Sequence, residues 1–338
     1  MTTIRSKMAG AMRIGLAAMA SMVLLSVGSE AAERVVWRAY TYNTVATVVP
    51  NVGLTRMFEE IEKKSNGMLH IDLHLGGSLP INATNITAAV SDDVVTLADD
   101  AFFTGNIQIG NLLRMPLLLQ SFADYKTAQE IIFPYMERAY AKKGIILLGQ
   151  YTYPPAVFWS RKKLEGVKDI AGQKIRTSST EQSELVRRFG GIPVTITTPE
   201  VAPAVDRGVI DGNLTNSGSV NSLWRDLFKY RYDLPTSFVN APIIVNQAAF
   251  EQVPPETQAI VREAAKGAVS WITDAILADE DRLTQKLVTE TGLKDNKASP
   301  TDIKAVEAGL VAYWEQWAKD HGPEAVEALA RIRAAVGR

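Results

Sequence analysis

The chain has 338 residues, about twice the usual size of a single domain, so we expect two domains with sizeable cores. Its formal net charge is −1, which excludes the basic surface expected of a nucleic-acid-binding protein. It contains no cysteine, which excludes disulfides, thiolate nucleophiles and cysteine-ligated metals.

The N-terminal residues predict a bacterial secretory signal peptide over residues 1–32. Positive charges at Arg5, Lys7 and Arg13 precede an apolar run over residues 14–27, and small residues before Glu33 offer a cleavage site. An uncleaved membrane anchor is the alternative, but the run is shorter than the ~20 residues that span a bilayer. We therefore expect export to the periplasm.

Strands and helices alternate through the first half of the mature chain. We predict strands at 35–40, 69–75, 94–98 and 145–148, and helices at 54–65, 82–90 and 124–142. The second strand has apolar residues at every other position, and Asn66 and Gly67 suit the end of the helix before it. Such alternation implies right-handed crossovers and a parallel sheet, which is an α/β fold.

A second α/β unit is predicted between two crossing strands at 157–160 and 241–245. It contains a strand that ends at Arg176, an amphipathic helix, a strand at 193–196 and a helix from Pro199. A long helix over 256–290 would span about 50 Å and brace both units. We therefore predict lobe I at 33–155 with 242–290, lobe II at 156–241, and C-terminal helices at 291–338.

Arg176 carries the clearest binding signal in the chain. It lies where a strand gives way to a helix N-terminus, at the carboxyl end of a parallel sheet, and open α/β sheets bind anions there. A guanidinium can hold a carboxylate through two charge-assisted hydrogen bonds. The alternative is a structural salt bridge, but the small polar residues at 177–179 favour ligand binding.

Several short motifs occur in an order and spacing that resemble the substrate-binding proteins of tripartite ATP-independent periplasmic (TRAP) transporters. The likeness runs from about Trp37 to Trp317. The segments that carry it are Gly76-Gly77-Ser78-Leu79, Met115-Pro116, Gly172-Gln173-Lys174-Ile175-Arg176, Glu200-Val201, Gly208-Val209-Ile210-Asp211-Gly212 and Pro254-Pro255-Glu256-Thr257-Gln258-Ala259-Ile260-Val261.

The resemblance implies a two-lobed periplasmic binding protein fold with crossing strands and a long helix along the back. It also implies that the lobes close over a ligand in the cleft, that Arg176 grips the ligand carboxylate, and that the partner is a TRAP membrane permease. A second arginine common in the family falls here at Ala156, and an aromatic residue falls at Thr198. These departures favour a monocarboxylate among small organic acids.

The resemblance and the predicted strand ends supply the other candidate ligand-binding residues. An alternative structural role is open for three of them: Asp99 could begin a solvated helix, Ser179 could be a helix N-cap, and Thr44 could be an ordinary loop residue. The candidates beside Arg176 are Asp99, Thr215, Asn216, Asn213, Ser179, Thr44, Trp159 and Tyr153.

Catalysis is not expected. The chain has three histidines, no Gly-x-Ser-x-Gly elbow and no glycine-rich phosphate loop, so we predict neither an enzyme nor a cofactor. We predict no metal ligands, although a metal ion that bridges the carboxylate stays open. Two alternatives to transport remain: a receptor that feeds a signalling partner, and a periplasmic enzyme on a binding-protein scaffold.

Overall fold

The computed structural model describes residues 34–338, so the predicted signal peptide lies outside the described residues. Within this range no helix combines the length and the apolar character needed to cross a membrane. The strands are β1 (Val35–Thr41), β2 (Leu69–His74), β3 (Leu97–Asp99), β4 (Ile145–Tyr153), β5 (Val157–Ser160), β6 (Lys174–Thr177), β7 (Ile192–Thr195), β8 (Gly212–Thr215), β9 (Tyr230–Asp233), β10 (Val239–Asn246) and β11 (Lys294–Lys297).

Eleven α-helices lie in the same range, together with short 3₁₀ and π-helical turns. The helices are α1 (Val49–Lys64), α2 (Ile86–Ser91), α3 (Phe122–Ala141), α4 (Thr180–Arg188), α5 (Val201–Asp206), α6 (Ser217–Ser219), α7 (Gln247–Gln252), α8 (Pro255–Thr291), α9 (Pro300–Ala308), α10 (Val311–Asp320) and α11 (Pro323–Val336). Helix and strand alternate along the chain, as the sequence predicts.

The strands form two sheets. The five-stranded sheet has the order β2-β1-β3-β10-β4, in which β1 is parallel to β2 and β3 and only β10 is antiparallel to its neighbours. The six-stranded sheet has the order β11-β9-β5-β8-β6-β7, with β6 parallel to β7 and β8. The predicted α/β fold with two sheets is confirmed, and each sheet also contains antiparallel pairs.

The chain passes between the sheets three times, once through α8 to β11 and twice through short connections that are bonded to each other. Residues 154–156 lead from β4 to β5, and residues 234–238 lead from β9 to β10. The amide of Ala156 donates to the carbonyl of Ser237 (2.8 Å), and the amide of Thr236 donates to the carbonyl of Ala156 (2.9 Å). The two crossings therefore form one short paired segment between the sheets.

Helix α8 packs against elements of both sheets, as predicted for the long helix. Its first part buries Val261, Ala264 and Ile272 in the core of the five-stranded sheet, and it packs on β4 and α1. Its last part buries Leu287 in the core beside the six-stranded sheet. It ends before Gly292, whose φ of 69° is the left-handed conformation that glycine adopts readily.

Several boundaries differ from the predictions. β3 begins at Leu97 rather than residue 94, because Asp93 turns the chain with φ 52°. The helix predicted after residue 299 is divided at Gly309 into α9 and α10. Strands β8, β9 and β11 were not predicted, because they are four residues long and lack a clean apolar alternation.

Candidate functional site

A small cavity lies where the ends of strands from both sheets meet. Tyr42 after β1 and Tyr153 at the end of β4 contribute from the five-stranded sheet, and Arg176 on β6 contributes from the six-stranded sheet. The complete lining is Tyr42, Asn43, Ala101, Phe102, Tyr153, Arg176, Ser178, Thr198, Leu214, Thr215, Asn216, Ser219, Leu223, Trp224 and Val239. We call this space the cleft cavity.

A second small cavity adjoins the cleft cavity and is more apolar. The two share Asn43, Tyr153, Asn216, Ser219 and Leu223. The second one extends between the first turn of α1 and helix α8, where residues such as Ile276 and Leu283 line it. The volumes are about 50 Å³ for the cleft cavity and about 60 Å³ for its neighbour.

Arg176 is the only cationic side chain among the described residues that line the cleft cavity. It is 4% exposed, and its Nε donates to the carbonyl of Ile196 (2.9 Å). Its Nη2 is buried and has no hydrogen-bond partner among the described residues. Burial lowers the pKa of Arg176 to about 10, against the opposing influence of Glu200 and Tyr42, so the guanidinium stays charged at neutral pH.

Glu200 does not pair directly with this guanidinium, because its carboxylate caps a helix. Its Oε2 accepts from the amide of Thr197 (2.7 Å) and from the hydroxyl of Thr197 (2.5 Å), which forms a capping box at the 3₁₀ turn before α5. The buried Nη2 of Arg176 therefore keeps its capacity to donate to an anion in the cavity.

Thr215 and Asn216 stand at the end of β8 beside Arg176. Asn216 caps α6 with its Oδ1, which accepts from the amide of Ser219 (2.8 Å). Since the cap uses the oxygen, the part of the amide group that Asn216 can offer to the cavity is its Nδ2 donor. The indole N–H of Trp159 donates to the backbone carbonyl of Thr215 (3.1 Å), so the side-chain hydroxyl of Thr215 is left for the cavity.

Trp159, Asn213, Arg176 and Arg231 form a row on one face of the six-stranded sheet. Trp159 pairs with Asn213 and with Arg231, and Arg176 pairs with Asn213, so the four side chains project to the same side. Trp159 and Asn213 are fully buried and lie outside the cavity lining. Neither polar atom of the Asn213 side chain has a partner in the described part of the chain.

Asp99 ends β3 inside the five-stranded sheet and is fully buried. Its Oδ2 accepts from the hydroxyl of Tyr151 (2.5 Å). Burial raises the pKa of Asp99 to about 7, although the hydrogen bond from Tyr151 acts in the opposite direction. Tyr151 is connected through Tyr42 to Tyr153, so Asp99 reaches the cavity only through other side chains.

The structure thus brings four of the sequence-predicted residues into one lining: Arg176, Thr215, Asn216 and Tyr153. Five others lie outside it. Asp99, Asn213 and Trp159 are buried behind the cavity, and Ser179 caps α4 by accepting from the amide of Gln182 (3.2 Å). Thr44 is half-buried in a bend after β1, next to Asn43, which does line the cavity.

The sequence predictions did not include Tyr42, Tyr151, Asn43 or Phe102. A signal for the tyrosines was present, because the triplet Tyr-Thr-Tyr occurs twice, at 40–42 and at 151–153. Both triplets lie at the carboxyl ends of strands, where parallel sheets place ligand-binding residues. Phe102 contacts Tyr42 edge to face, with 5.8 Å between the ring centres.

A larger cavity of about 610 Å³ lies elsewhere, between α4 and α9. Its lining includes Leu185, Phe189 and Val306 with Lys168 and Arg188. Arg188 is already engaged there, because its Nε pairs with Glu184 (3.1 Å). The cleft cavity is the better candidate, since it alone of the two contains a buried guanidinium with an unused donor. Residues 34–338 contain no cluster of three or more acidic or histidine side chains that could hold a metal ion.

Comparison with known families identifies the family of this chain. Residues 47–320 match the model of the DctP family, described as bacterial extracellular solute-binding protein, family 7. The chain belongs to this family. DctP-family proteins are solute-binding proteins of TRAP transporters and not enzymes, so the resemblance seen in the sequence is confirmed.

Individual relatives are distant in sequence but similar in fold. A curated solute-binding protein of Sulfitobacter sp. is 24% identical over 228 residues, which covers 64% of this chain and 68% of the relative. A solved Bordetella pertussis extracytoplasmic solute receptor binding pyroglutamic acid has a TM-score of 0.83 at 22% identity, covering 88% of this chain and 99% of that one. A solved Sulfitobacter sp. TRAP receptor with bound β-D-galacturonate has a TM-score of 0.80 at 19% identity, covering 89% and 100%.

Proposed function

We propose that this protein is a periplasmic receptor that binds a small organic monocarboxylate in the cleft cavity and delivers it to a TRAP-type membrane permease. The observation that carries the proposal is the guanidinium of Arg176, which is buried, charged and equipped with an Nη2 that has no partner among the described residues. Burying an uncompensated cation is costly, and a ligand carboxylate would offset that cost through charge-assisted hydrogen bonds.

The preference for one carboxylate follows from the charges around the cavity. Arg176 is the single cation in the described lining, and no aspartate or glutamate lies there. The position of the family's second arginine is Ala156, which is fully buried. The rest of the lining mixes hydroxyl and amide groups with Phe102 and Trp224, so we propose a ligand with a flat or apolar part beside its carboxylate.

The remaining predicted residues take roles behind or beside the ligand in this proposal. Thr215, Asn216 and Tyr153 would contact it directly. Trp159, Asn213, Ser179 and Asp99 would support those contacts, and Thr44 would shape the loop that carries Asn43. Pyroglutamate and galacturonate, which the two solved relatives bind, each carry one carboxylate and suit these groups.

The proposed mechanism is closure linked to binding. The cleft cavity and its neighbour are small, about 50 Å³ and 60 Å³, so the two sheets must separate for a ligand to reach Arg176. The paired connections at residues 154–156 and 234–238 are the proposed hinge between lobe I and lobe II. The ligand bridges the lobes, the closed form becomes the populated one, and the permease recognises that form.

A thermal-shift screen of the chain from Glu33 onwards would test the proposal. The panel should contain monocarboxylates, dicarboxylates and neutral sugars, each at a high concentration. A ligand at ~1,000 times its dissociation constant adds about 4 kcal/mol to stability, so the melting temperature should rise by several degrees. We expect monocarboxylate hits that the Arg176→Met variant abolishes. Hits confined to neutral sugars, or carboxylate hits indifferent to Arg176→Met, would contradict the proposal.

A further inference from the structure

Four side chains form a continuous hydrogen-bonded series from the buried core to the cleft cavity. The hydroxyl of Tyr151 donates to Asp99 Oδ2 (2.5 Å), the hydroxyls of Tyr151 and Tyr42 are 3.3 Å apart, and those of Tyr42 and Tyr153 are 2.6 Å apart. Asp99 and Tyr151 are fully buried, whereas Tyr42 and Tyr153 line the cavity with Arg176. We call these four residues the tyrosine relay.

We propose that ionised Asp99 orients the tyrosine relay so that Tyr153 presents a hydrogen-bond acceptor, and that the receptor thereby selects carboxylates with a neighbouring N–H or O–H donor. This inference rests on the proposed function, since it assumes that Arg176 holds the carboxylate. Asp99 is a positioning residue in this proposal, because it acts on the ligand only through the tyrosines.

The direction of every bond in the relay follows from the carboxylate. An ionised carboxylate accepts hydrogen bonds but cannot donate, so Tyr151 gives its single proton to Asp99. The Tyr151 oxygen can then only accept, so Tyr42 donates to it. Tyr153 must in turn donate to Tyr42. The hydroxyl of Tyr153 is then left with an unused lone pair, which can accept from a ligand donor.

Protonation of Asp99 removes this constraint. A protonated carboxyl can donate to Tyr151, so the relay can reverse and Tyr153 can donate to the ligand instead. The tyrosines themselves stay protonated at neutral pH, because burial raises the pKa of Tyr42, Tyr151 and Tyr153. Asp99 is therefore the member of the relay whose charge changes between pH 5 and pH 8, since burial raises its pKa to about 7.

The side chains around Asp99 are consistent with its being the member of the relay that titrates. Tyr42 faces it from the end of β1 and Tyr151 and Tyr153 face it from β4, while β10 places Ile243 beside it. The other carboxyl is Asp100, whose oxygens accept from the Thr87 hydroxyl (2.6 Å) and the Phe102 amide (2.8 Å).

Two cations complete these surroundings. Burial raises the pKa of Asp100 to about 6, and Arg114, at the end of a 3₁₀ turn over residues 108–114, acts in the opposite direction. On the cavity side, Arg176 and Tyr42 are close enough to interact electrostatically. Asp100 is thus held by groups outside the relay, which makes it a matched control for Asp99.

The test compares two acids of the same shape that differ in one donor. Pyroglutamate has a ring N–H beside its carboxylate, and 5-oxotetrahydrofuran-2-carboxylate has a ring oxygen there. Isothermal titration of the mature protein at pH 8.0 should show pyroglutamate bound at least about tenfold more tightly, since a polar group left without its partner lowers affinity. At pH 5.5 the preference should fall below about threefold, because Asp99 is then protonated.

Variants separate this inference from the proposed function. Asp99→Asn should remove the preference at pH 8.0, and Tyr153→Phe should do the same. Asp100→Asn should leave the preference at pH 8.0 in place and move its loss to lower pH, because the charge of Asp100 raises the pKa of Asp99. A preference that ignores pH and Asp99→Asn, while Arg176→Met abolishes binding of both acids, would overturn the relay alone. Equal binding of both acids before and after Arg176→Met would overturn the proposed function. Asp100 also changes charge between pH 5.5 and pH 8.0, so the pH comparison is read together with Tyr153→Phe, which removes the proposed acceptor and leaves both carboxyls in place.

Discussion

Replacing Arg176 with methionine should make the ligand-free protein more stable while it removes ligand binding. Burial lowers the pKa of Arg176 from its ordinary value to about 10. A change of one in a pKa corresponds to 1.36 kcal/mol, so burying the charged guanidinium costs about 3 kcal/mol. Methionine keeps the apolar stem of the side chain but removes the charge-assisted hydrogen bond to the Ile196 carbonyl, worth about 2 kcal/mol. The expected net gain is about 1 kcal/mol.

The assay is urea unfolding at pH 7 on protein freed of ligand by unfolding, dialysis and refolding. Arg231→Met is the matched control, because Arg231 is also buried but pairs with Asp295 (2.7 Å) and Asp233 (3.1 Å). Breaking that network should lower the free energy of unfolding by about 3–5 kcal/mol. If Arg176→Met destabilised the protein by a similar amount, Arg176 would be a structural ion-pair residue and our reasoning would be refuted.

Three further predictions concern the fold and the buried carboxyl. The folded protein holds the proton of Asp99 more tightly than the unfolded chain, so the free energy of unfolding should fall as pH rises between about 4 and 7. Urea titrations across this range should show that Asp99→Asn removes this contribution, which is on the order of 4 kcal/mol. Gly212→Ala should lower the free energy of unfolding by about 3 kcal/mol, because the new Cβ would lie 2.3 Å from the Trp159 carbonyl oxygen. An unchanged midpoint of urea unfolding would contradict this close approach. Trp314→Phe should lower stability by about 2 kcal/mol, since the buried indole N–H donates to the Pro116 carbonyl (3.0 Å), and a loss within 0.5 kcal/mol would show that this bond contributes little.

The sequence was sufficient to predict the fold class because its strongest signals are local. Apolar alternation located β2, and the Asn66-Gly67 pair located the end of α1, where both residues have positive φ. Length and an apolar stripe located α8. Strand β11, with the polar sequence Lys-Asp-Asn-Lys, exists only through its pairing with β9, and no local pattern reports such a pairing.

The candidate site was predictable in part for the same reason. Arg176 was found because it lies close to the end of a strand, a position that can be estimated from the chain alone. Thr215 was found only through the family resemblance, because the strand that it ends, β8, was not predicted. The tyrosine relay could not be found in this way, because Asp99 and Tyr151 belong to β3 and β4, which are separated by β10. That order depends on a strand that the chain adds about 90 residues later, after five of the six strands of the other sheet.

The most direct test of the central claim is a crystal structure of the mature protein with a monocarboxylate from the screen. We predict one carboxylate oxygen within about 2.9 Å of Arg176 Nη2, with Thr215, Asn216 and Tyr153 around the rest of the molecule. A ligand whose carboxylate lies away from Arg176, for example against Lys168 and Arg188 in the cavity between α4 and α9, would contradict the account.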